Sequence, residues 1–209
     1  MKIQYAPIII FTHKRINHLK KLIYSLKNNK LCKKSNVIIF SDGPRNNTLE
    51  IESVKKVRNF LKTISGFKSV KIYERSNNYG LAKNIINGLD TVFKKFSNAI
   101  ILEDDLVVDN FFLEYLNDGL DIYKKNKSVA SIHAYIYPIK FKKKIPNYFF
   151  IKGADCWGWA TWKRAWKTFE KNGNKLIKII DKKKQKKDFN FNNSFNYYDM
   201  LVSQIKKKK

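Results

Sequence analysis

The chain has 209 residues, with 43 Lys+Arg against 17 Asp+Glu and a formal net charge of +26. A hydrophobic fraction of 44% with 14% aromatics supplies material for one buried core, excludes wholesale disorder and, at this length, favours a single domain. Cys32 and Cys156 stand far apart with no Cys/His spacing around them, which excludes a disulfide scaffold and a structural zinc site.

The first hundred residues alternate two periods. Pro7–Phe11 is a continuous apolar run suited to a strand buried on both faces. Ile16, Leu19, Leu22, Ile23 and Leu26 then recur at helical spacing. Val37–Phe40 predicts a second strand. Ile51, Val54, Val57, Phe60, Leu61 and Ile64 form a second helical stripe, with Asn47 or Thr48 as N-cap. Val70–Tyr73 alternates as a strand, Leu81 to Phe96 carries a third stripe, and Ala99–Leu102 makes a fourth strand. Strand and helix in alternation imply βαβ units and a parallel, Rossmann-like sheet over the first ~105 residues. Beyond Asp105, Phe111 to Leu120 predicts a helix and Val129–Ala134 a strand. A basic stretch (Lys140–Lys144), an aromatic run (Tyr148–Ile151) and an irregular Trp-rich segment (Gly153–Trp166) follow. From Lys171 onward Lys and Asn dominate, which reads as loosely ordered chain with one short helix at Tyr197–Ile205.

In open parallel sheets, ligands bind beyond the carboxyl ends of the strands, where loops and helix N-termini converge. The four predicted strand ends carry Thr12-His-Lys-Arg15, Ser41-Asp-Gly-Pro-Arg45, Glu74-Arg-Ser-Asn-Asn-Tyr-Gly80 and Glu103-Asp-Asp105. Three adjacent acids after an apolar strand repel one another, so a bound Mg²⁺ or Mn²⁺ is a natural compensation. The competing reading is an acidic cluster at the N-terminus of the next helix. Asn78-Tyr-Gly80 opens the third helix where free N–H groups favour a phosphate, with Arg75 and Lys83 adding positive charge. No GxGxxG follows the first strand and no GxxxxGK[ST] occurs, which disfavours the usual dinucleotide and P-loop sites. His13, His18 and His133 have no ligand spacing. His133, at the end of a predicted strand, faces either the crevice or the structural interior.

Taken together, Pro7-Ile-Ile-Ile-Phe-Thr-His-Lys-Arg15, Phe40-Ser-Asp-Gly-Pro44, Asn78-Tyr-Gly-Leu-Ala-Lys-Asn84, Ile101-Leu-Glu-Asp-Asp105 and Lys152-Gly-Ala-Asp-Cys-Trp-Gly-Trp-Ala-Thr-Trp162 resemble family-two-like bacterial glycosyltransferases of the GT-A fold. The resemblance spans about residues 5 to 205. It implies an α/β, mostly parallel sheet flanked by helices, in one domain over 1–205. Residues 1–109 would form the nucleotide-sugar-binding half and 110–205 an incomplete acceptor-side half, followed by a Lys tail at 206–209. It implies that Thr12 and Asp42 hold the base and ribose of a nucleoside-diphosphate sugar, with His13 and Arg15 also in the nucleotide-sugar site. Arg75, Asn78, Gly80 and Lys83 would line the diphosphate, with Glu103 and Asp104 beside the donor and Asp105 holding Mn²⁺ or Mg²⁺. Trp157, Trp159 and His133 fall on the acceptor side, where aromatic faces stack on sugars or form a local core.

The implied reaction is inverting transfer to an acceptor hydroxyl in surface-glycan synthesis. The family's acidic base motif lies downstream of the Trp-rich segment, and the chain ends in Lys206–Lys209 about where it would begin. Asp155 is the substitute candidate. The expectation is therefore a chain shortened by a frameshift in a poly-A tract, either active or reduced to a nucleotide-sugar-binding remnant. A sugar-phosphate nucleotidyltransferase and a basic polyanion binder are the remaining alternatives. The evenly scattered Lys, beside abundant Ile, Asn, Phe and Tyr, fits compositional drift better than a nucleic-acid interface, so no nucleic-acid partner is expected. With neither a signal peptide nor a ~20-residue apolar span, the expected location is cytoplasmic, with contact to an anionic membrane face carrying a lipid-linked or glycan acceptor.

Overall fold

The structure, a computed structural model, describes residues 4–138 and 146–206. The first strand, β1 (Ile8–Thr12), is buried along its whole length and alternates its side chains between two cores. Ile8 and Ile10 pack with Leu19, Leu22 and Leu26 of helix α1 (Ile16–Lys27) on one face. Ile9 and Phe11 pack with the opposite cluster. This period-2 division is what a two-face-buried strand requires, and each fully buried Ile contributes about 2 kcal/mol.

Strand β2 (Asn36–Ser41), helix α2 (Thr48–Leu61) and strand β3 (Ser69–Glu74) follow. Asn47 is the N-cap of α2, its side chain accepting from the Glu50 N–H. Helix α3 (Leu81–Val92) places Leu89 and Val92 on the cluster of Ile9, Phe11, Ile38, Phe40 and Ile101. Strand β4 (Asn98–Glu103) and helix α4 (Phe112–Ile122) come next, and Leu113, Leu116 and Leu120 of α4 join the Ile8/Ile10 core.

The six strands run in the order β3-β2-β1-β4-β6-β5, where β5 is Ser131–His133 and β6 is Trp159–Trp162. β1 to β4 pair in parallel, β6 runs antiparallel to β4, and β5 runs antiparallel to β6. The mostly parallel, helix-flanked sheet expected from the sequence is therefore present.

Two expectations need correction. The Trp-rich segment is not wholly irregular. Trp159–Trp162 is a strand inserted beside β4, because Ala160 and Trp162 are buried there and the Trp162 indole N–H finds the Leu120 carbonyl at 3.1 Å. The strand expected at Val129–Ala134 shortens to three residues, since the Val129 carbonyl is taken by Arg164 and the Ala130 carbonyl by the Thr161 hydroxyl.

The chain divides into two compact units, one of residues 1–136 with 155–166, the other of 137–154 with 167–209. The first unit contains the sheet, α1 to α4 and helix α5 (Lys163–Trp166). In the second, the tail read as loosely ordered is helical: α6 (Gly173–Lys182), α7 (Lys186–Phe189) and α8 (Tyr197–Lys206). The Tyr198 hydroxyl donates to Asp181 at 2.8 Å and Asn190 accepts from the Tyr198 N–H at 2.8 Å, contacts between residues distant in sequence that Lys/Asn-rich composition conceals. The helix expected at Tyr197–Ile205 is α8. The basic stretch Lys140–Lys144 and the last three lysines lie outside the described residues. Among the described residues no helix is long and apolar enough to cross a membrane.

Candidate functional site

The carboxyl ends of β1, β2 and β4 meet, and two buried aspartates organise what they carry. Asp42, directly after β2, is 4% exposed and spends its acceptors on the chain itself. Its carboxylate receives the N–H groups of Gly43 at 2.9 Å, Tyr79 at 2.8 Å and Gly80 at 2.9 Å, with the Asn78 amide at 3.3 Å. The loop entering α3 is thus clamped to the end of β2. Asn78 also donates to the Gly43 carbonyl at 2.8 Å. Gly43 must be glycine, since a Cβ there would stand 2.4 Å from the Asn77 carbonyl carbon. Gly80, the N-cap of α3, has φ +71, which favours glycine, and among the described residues no side-chain hydrogen bond caps the helix there.

Asp104 is the second organiser, 2% exposed at the end of β4. It accepts from the Thr12 hydroxyl at 2.8 Å, the His13 N–H at 3.3 Å and Arg15 at 2.5 Å. The other arm of the same guanidinium reaches Asp105 at 2.9 Å. Burial alone would lower the Arg15 pKa, but the charges and hydrogen bonds of Asp104 and Asp105 outweigh it and raise the group above its ordinary value. Glu103 is the strained member. Burial, then repulsion from Asp105 and Asp104, pushes its carboxyl above the usual range.

A cation could be held here in one way. Asp104 is saturated by protein donors, whereas the Asp105 side chain is 39% exposed. Among the described residues no group of three or more His, Cys, Asp or Glu gathers as a ready-made metal cage. A divalent ion that draws one carboxylate from the protein and the rest of its shell from phosphate and water fits this donor set, in which three adjacent acids share the one Arg15 guanidinium.

Arg15 meanwhile serves as an internal counter-cation. Arg15→Ala is expected to lower unfolding free energy by about 1 to 2 kcal/mol, less than the loss of a fully buried partner because Arg15 is 46% exposed. Added Mn²⁺ should raise the melting temperature of this variant more than that of wild type. Urea titrations with and without Mn²⁺ check both, and equal Mn²⁺ responses would contradict the counter-cation role.

Three residues that motif reading did not single out, Glu50, Arg58 and Asn87, complete the frame together with Asn84 at the end of the Asn78–Asn84 motif. Glu50 is buried and receives Lys14 at 2.9 Å and the Arg45 N–H at 2.9 Å, with the His13 Nε2 atom 3.3 Å away. The Lys14 hydrogen bond, then that of Arg45, hold its pKa down at about 2 against an ordinary 4.5. A depressed carboxyl stabilises the fold above its unfolded pKa, and that stabilisation disappears as pH falls through the folded value. Glu50→Gln should therefore be less stable than wild type at neutral pH, with the gap closing between about pH 4.5 and 2 in paired pH-dependent melts. Arg58 donates to the carbonyls of Arg75 at 2.6 Å and Asp42 at 3.3 Å, tying the ends of β2 and β3. Asn84 and Asn87 receive Arg75 at 3.3 and 2.7 Å. Glu50 and Asn87 lie within two helical turns of the strand-end motifs, whereas Arg58, deep in α2, carried no sequence signal.

Arg75 lies against the rings of Phe40 and Tyr79, 5.1 and 4.9 Å from their centroids, and Lys83 stands 4.7 Å from Tyr79. Two cations thus flank the opening of α3.

On the other side of β4, His133 pairs in register with Trp159. Burial lowers its pKa while Asp155 opposes the shift, and its Nδ1 has no hydrogen-bond partner. Partial burial, then the charges of Glu103 and Asp155, raise the Cys156 thiol above its ordinary range. Asp155 accepts from the Trp157 N–H at 2.6 Å. Of the four tryptophans Trp157 is the exposed one, at 44%, edge-on to Tyr135, whereas Trp159 packs against the Ile9/Phe11 core.

The strand-end residues Thr12, His13, Arg15, Asp42, Asn78, Gly80, Asp104 and Asp105 are thus brought together, with Arg75, Lys83 and Glu103 at the margins. Among solved structures, S. aureus TarS 1–349 in complex with UDP is 17% identical with a TM-score of 0.48, over 85% of this chain and 49% of that one. The Pyrobaculum calidifontis mannosyltransferase PcManGT in complex with GDP-Man and Mn²⁺ is 14% identical with a TM-score of 0.45, over 64% of this chain and 37% of that one. The chain spans between 20% and 49% of the length of four solved structures it matches. No curated protein sequence matches it. The model of the family described as glycosyl transferase family 2 matches residues 8–195, nearly the whole chain, and the chain belongs to that family.

Proposed function

We propose that this chain binds a nucleoside-diphosphate sugar at the carboxyl ends of β1, β2 and β4 and transfers the sugar, with inversion, to an acceptor hydroxyl in surface-glycan synthesis. The observation that carries this reading is the convergence of Asp104 and Asp105 with Arg15 and the Asp42-clamped loop, in a chain of glycosyl transferase family 2. Asp105 is the carboxylate that would hold Mn²⁺ or Mg²⁺, which when bound neutralises charge on the leaving diphosphate. Arg15, which bridges Asp104 and Asp105, would be free to turn one arm towards the phosphates when Asp105 holds the ion. Exposed N–H groups at the start of α3, with Arg75 and Lys83 beside them, orient the diphosphate. Trp157 offers an aromatic face to the acceptor sugar, and Asp155 would be the carboxylate that receives the acceptor proton.

A second reading, a nucleotide-sugar binder without transfer, is favoured by one observation: Asp155 is already engaged by the Trp157 N–H. The test is calorimetric titration of the chain with UDP and GDP, with Mn²⁺ or with EDTA, followed by incubation with the matching nucleotide sugars and glycan or lipid-linked acceptors. Mn²⁺-dependent binding is the expected result, and no binding of either nucleotide would overturn both readings. Binding with transfer selects the enzyme, binding without transfer the remnant.

A further inference from the structure

α1 and the loop leaving β4 meet on a part of the surface that the donor site does not use. Lys20, Lys21 and Tyr24 of α1 line a shallow groove there together with Val107. Three large apolar side chains stand out to solvent: Tyr24 is 72% exposed, Val107 68% and Phe111 61%. The Lys30 ammonium lies 5.4 Å from the Phe111 ring centroid, so the patch is rimmed by lysines on both sides.

This exposure is built into the fold. The Val108 N–H donates to the Ser25 hydroxyl at 3.2 Å, the Asn29 side chain donates to the Asp109 carbonyl at 3.1 Å, and the Leu113 N–H donates to Asn29 Oδ1 at 2.9 Å. The loop is thereby fixed on α1 with Val107 and Phe111 outward. Besides Asp104 and Asp105 at its start, this loop carries Asp109, whose carboxylate accepts from the Phe111 N–H at 2.9 Å.

Single exposed apolar residues are ordinary, but three on one helix-anchored surface flanked by ammonium groups match a bilayer boundary, with apolar tips entering the acyl edge and lysines meeting lipid phosphates. We propose that this patch docks the protein on an anionic lipid bilayer. A second copy of the chain fits less well, because pairing the patch with itself would set Lys20, Lys21 and Lys30 against their equals in a chain of net charge +26. Val107 follows Asp105 by two residues, so docking would bring the mouth of the donor site to the membrane surface, where a lipid-linked acceptor resides. That consequence rests on the proposed function; the docking itself does not.

The test uses the full chain and flotation with phosphatidylglycerol/phosphatidylcholine vesicles. Tyr24→Ser/Val107→Ser/Phe111→Ser is compared with Lys20→Glu/Lys21→Glu/Lys30→Glu and with the charge-matched control Lys55→Glu/Lys56→Glu/Lys62→Glu, whose three lysines are exposed elsewhere. Binding is expected to fall about tenfold in the apolar variant and about a hundredfold in the patch-lysine variant, and to stay near wild type in the control. Equal losses in both lysine variants, or an apolar variant that binds like wild type, would overturn the proposal. So would a wild-type dimer that the apolar variant converts to monomer, which would make the patch an interface between copies. All substituted positions are exposed, and thermal melts confirm that each variant is folded. Vesicle binding is read without nucleotide, so its failure and a failure of the donor-site reading are distinguishable.

Discussion

Asp105→Ala is expected to lower sugar transfer by about a thousandfold while leaving the fold intact. The reason lies in the division of labour between adjacent acids. Asp104 is sealed under Thr12, His13 and Arg15 and holds β4 to β1, whereas Asp105 meets Arg15 alone among its hydrogen-bond partners and faces solvent. Removing Asp105 therefore deletes a ligand-facing charge without orphaning a buried donor, and unfolding free energy should stay within about 0.5 kcal/mol of wild type. Asp104→Ala, by contrast, strips three donors of their acceptor and should destabilise the chain strongly. The informative measurements are transfer rate against Mn²⁺ concentration, nucleoside-diphosphate affinity and a urea titration on each variant. An Asp105→Ala protein with wild-type rate and Mn²⁺ dependence would remove Asp105 from the site.

Asp42→Ala should show the largest loss of stability at the site, about 3 kcal/mol or more, because the N–H groups of Gly43, Tyr79 and Gly80 would lose a charged acceptor together. The damage should be local before it is global. The loop at 78–80 would detach from β2, hydrogen exchange at the Tyr79 and Gly80 amides would accelerate, and nucleotide affinity would fall with them. Asp42→Asn keeps one oxygen for the Gly43 and Tyr79 amides but turns an NH₂ towards Gly80 and Asn78, so it should lie between wild type and alanine. Unchanged exchange at Tyr79 and Gly80 in Asp42→Ala would show that the clamp is not what holds the loop.

Arg15 and Asp42 show how position and partnership separate in such a site. Both sit at strand ends that sequence reading marks as donor-facing, yet in the folded chain each is engaged by other protein groups. Arg15 spans two carboxylates and Asp42 holds the backbone of a loop 36 or more residues away. In both cases a protein group stands where charge must be balanced before any ligand arrives.

The apolar runs and stripes of the first hundred residues were enough to determine β1 to β4, the helices between them and the strand-end location of Glu103-Asp104-Asp105, because period 2 and period 3.6 burial is a local property of sequence. The five motifs in order were likewise enough to indicate the family. What the sequence could not decide was everything that depends on a partner distant along the chain. Trp159–Trp162 becomes a strand only because β4 offers an open edge and Leu120 a carbonyl for Trp162. In the Lys- and Asn-rich tail the Tyr198 hydroxyl ties α8 back to Asp181 of α6, 17 residues earlier. The split between sealed Asp104 and open Asp105 is decided by Thr12 and Arg15, some ninety residues earlier. Composition reports which side chains are available; burial and hydrogen-bond satisfaction, which decide what each one does, exist only once the strands have been brought together.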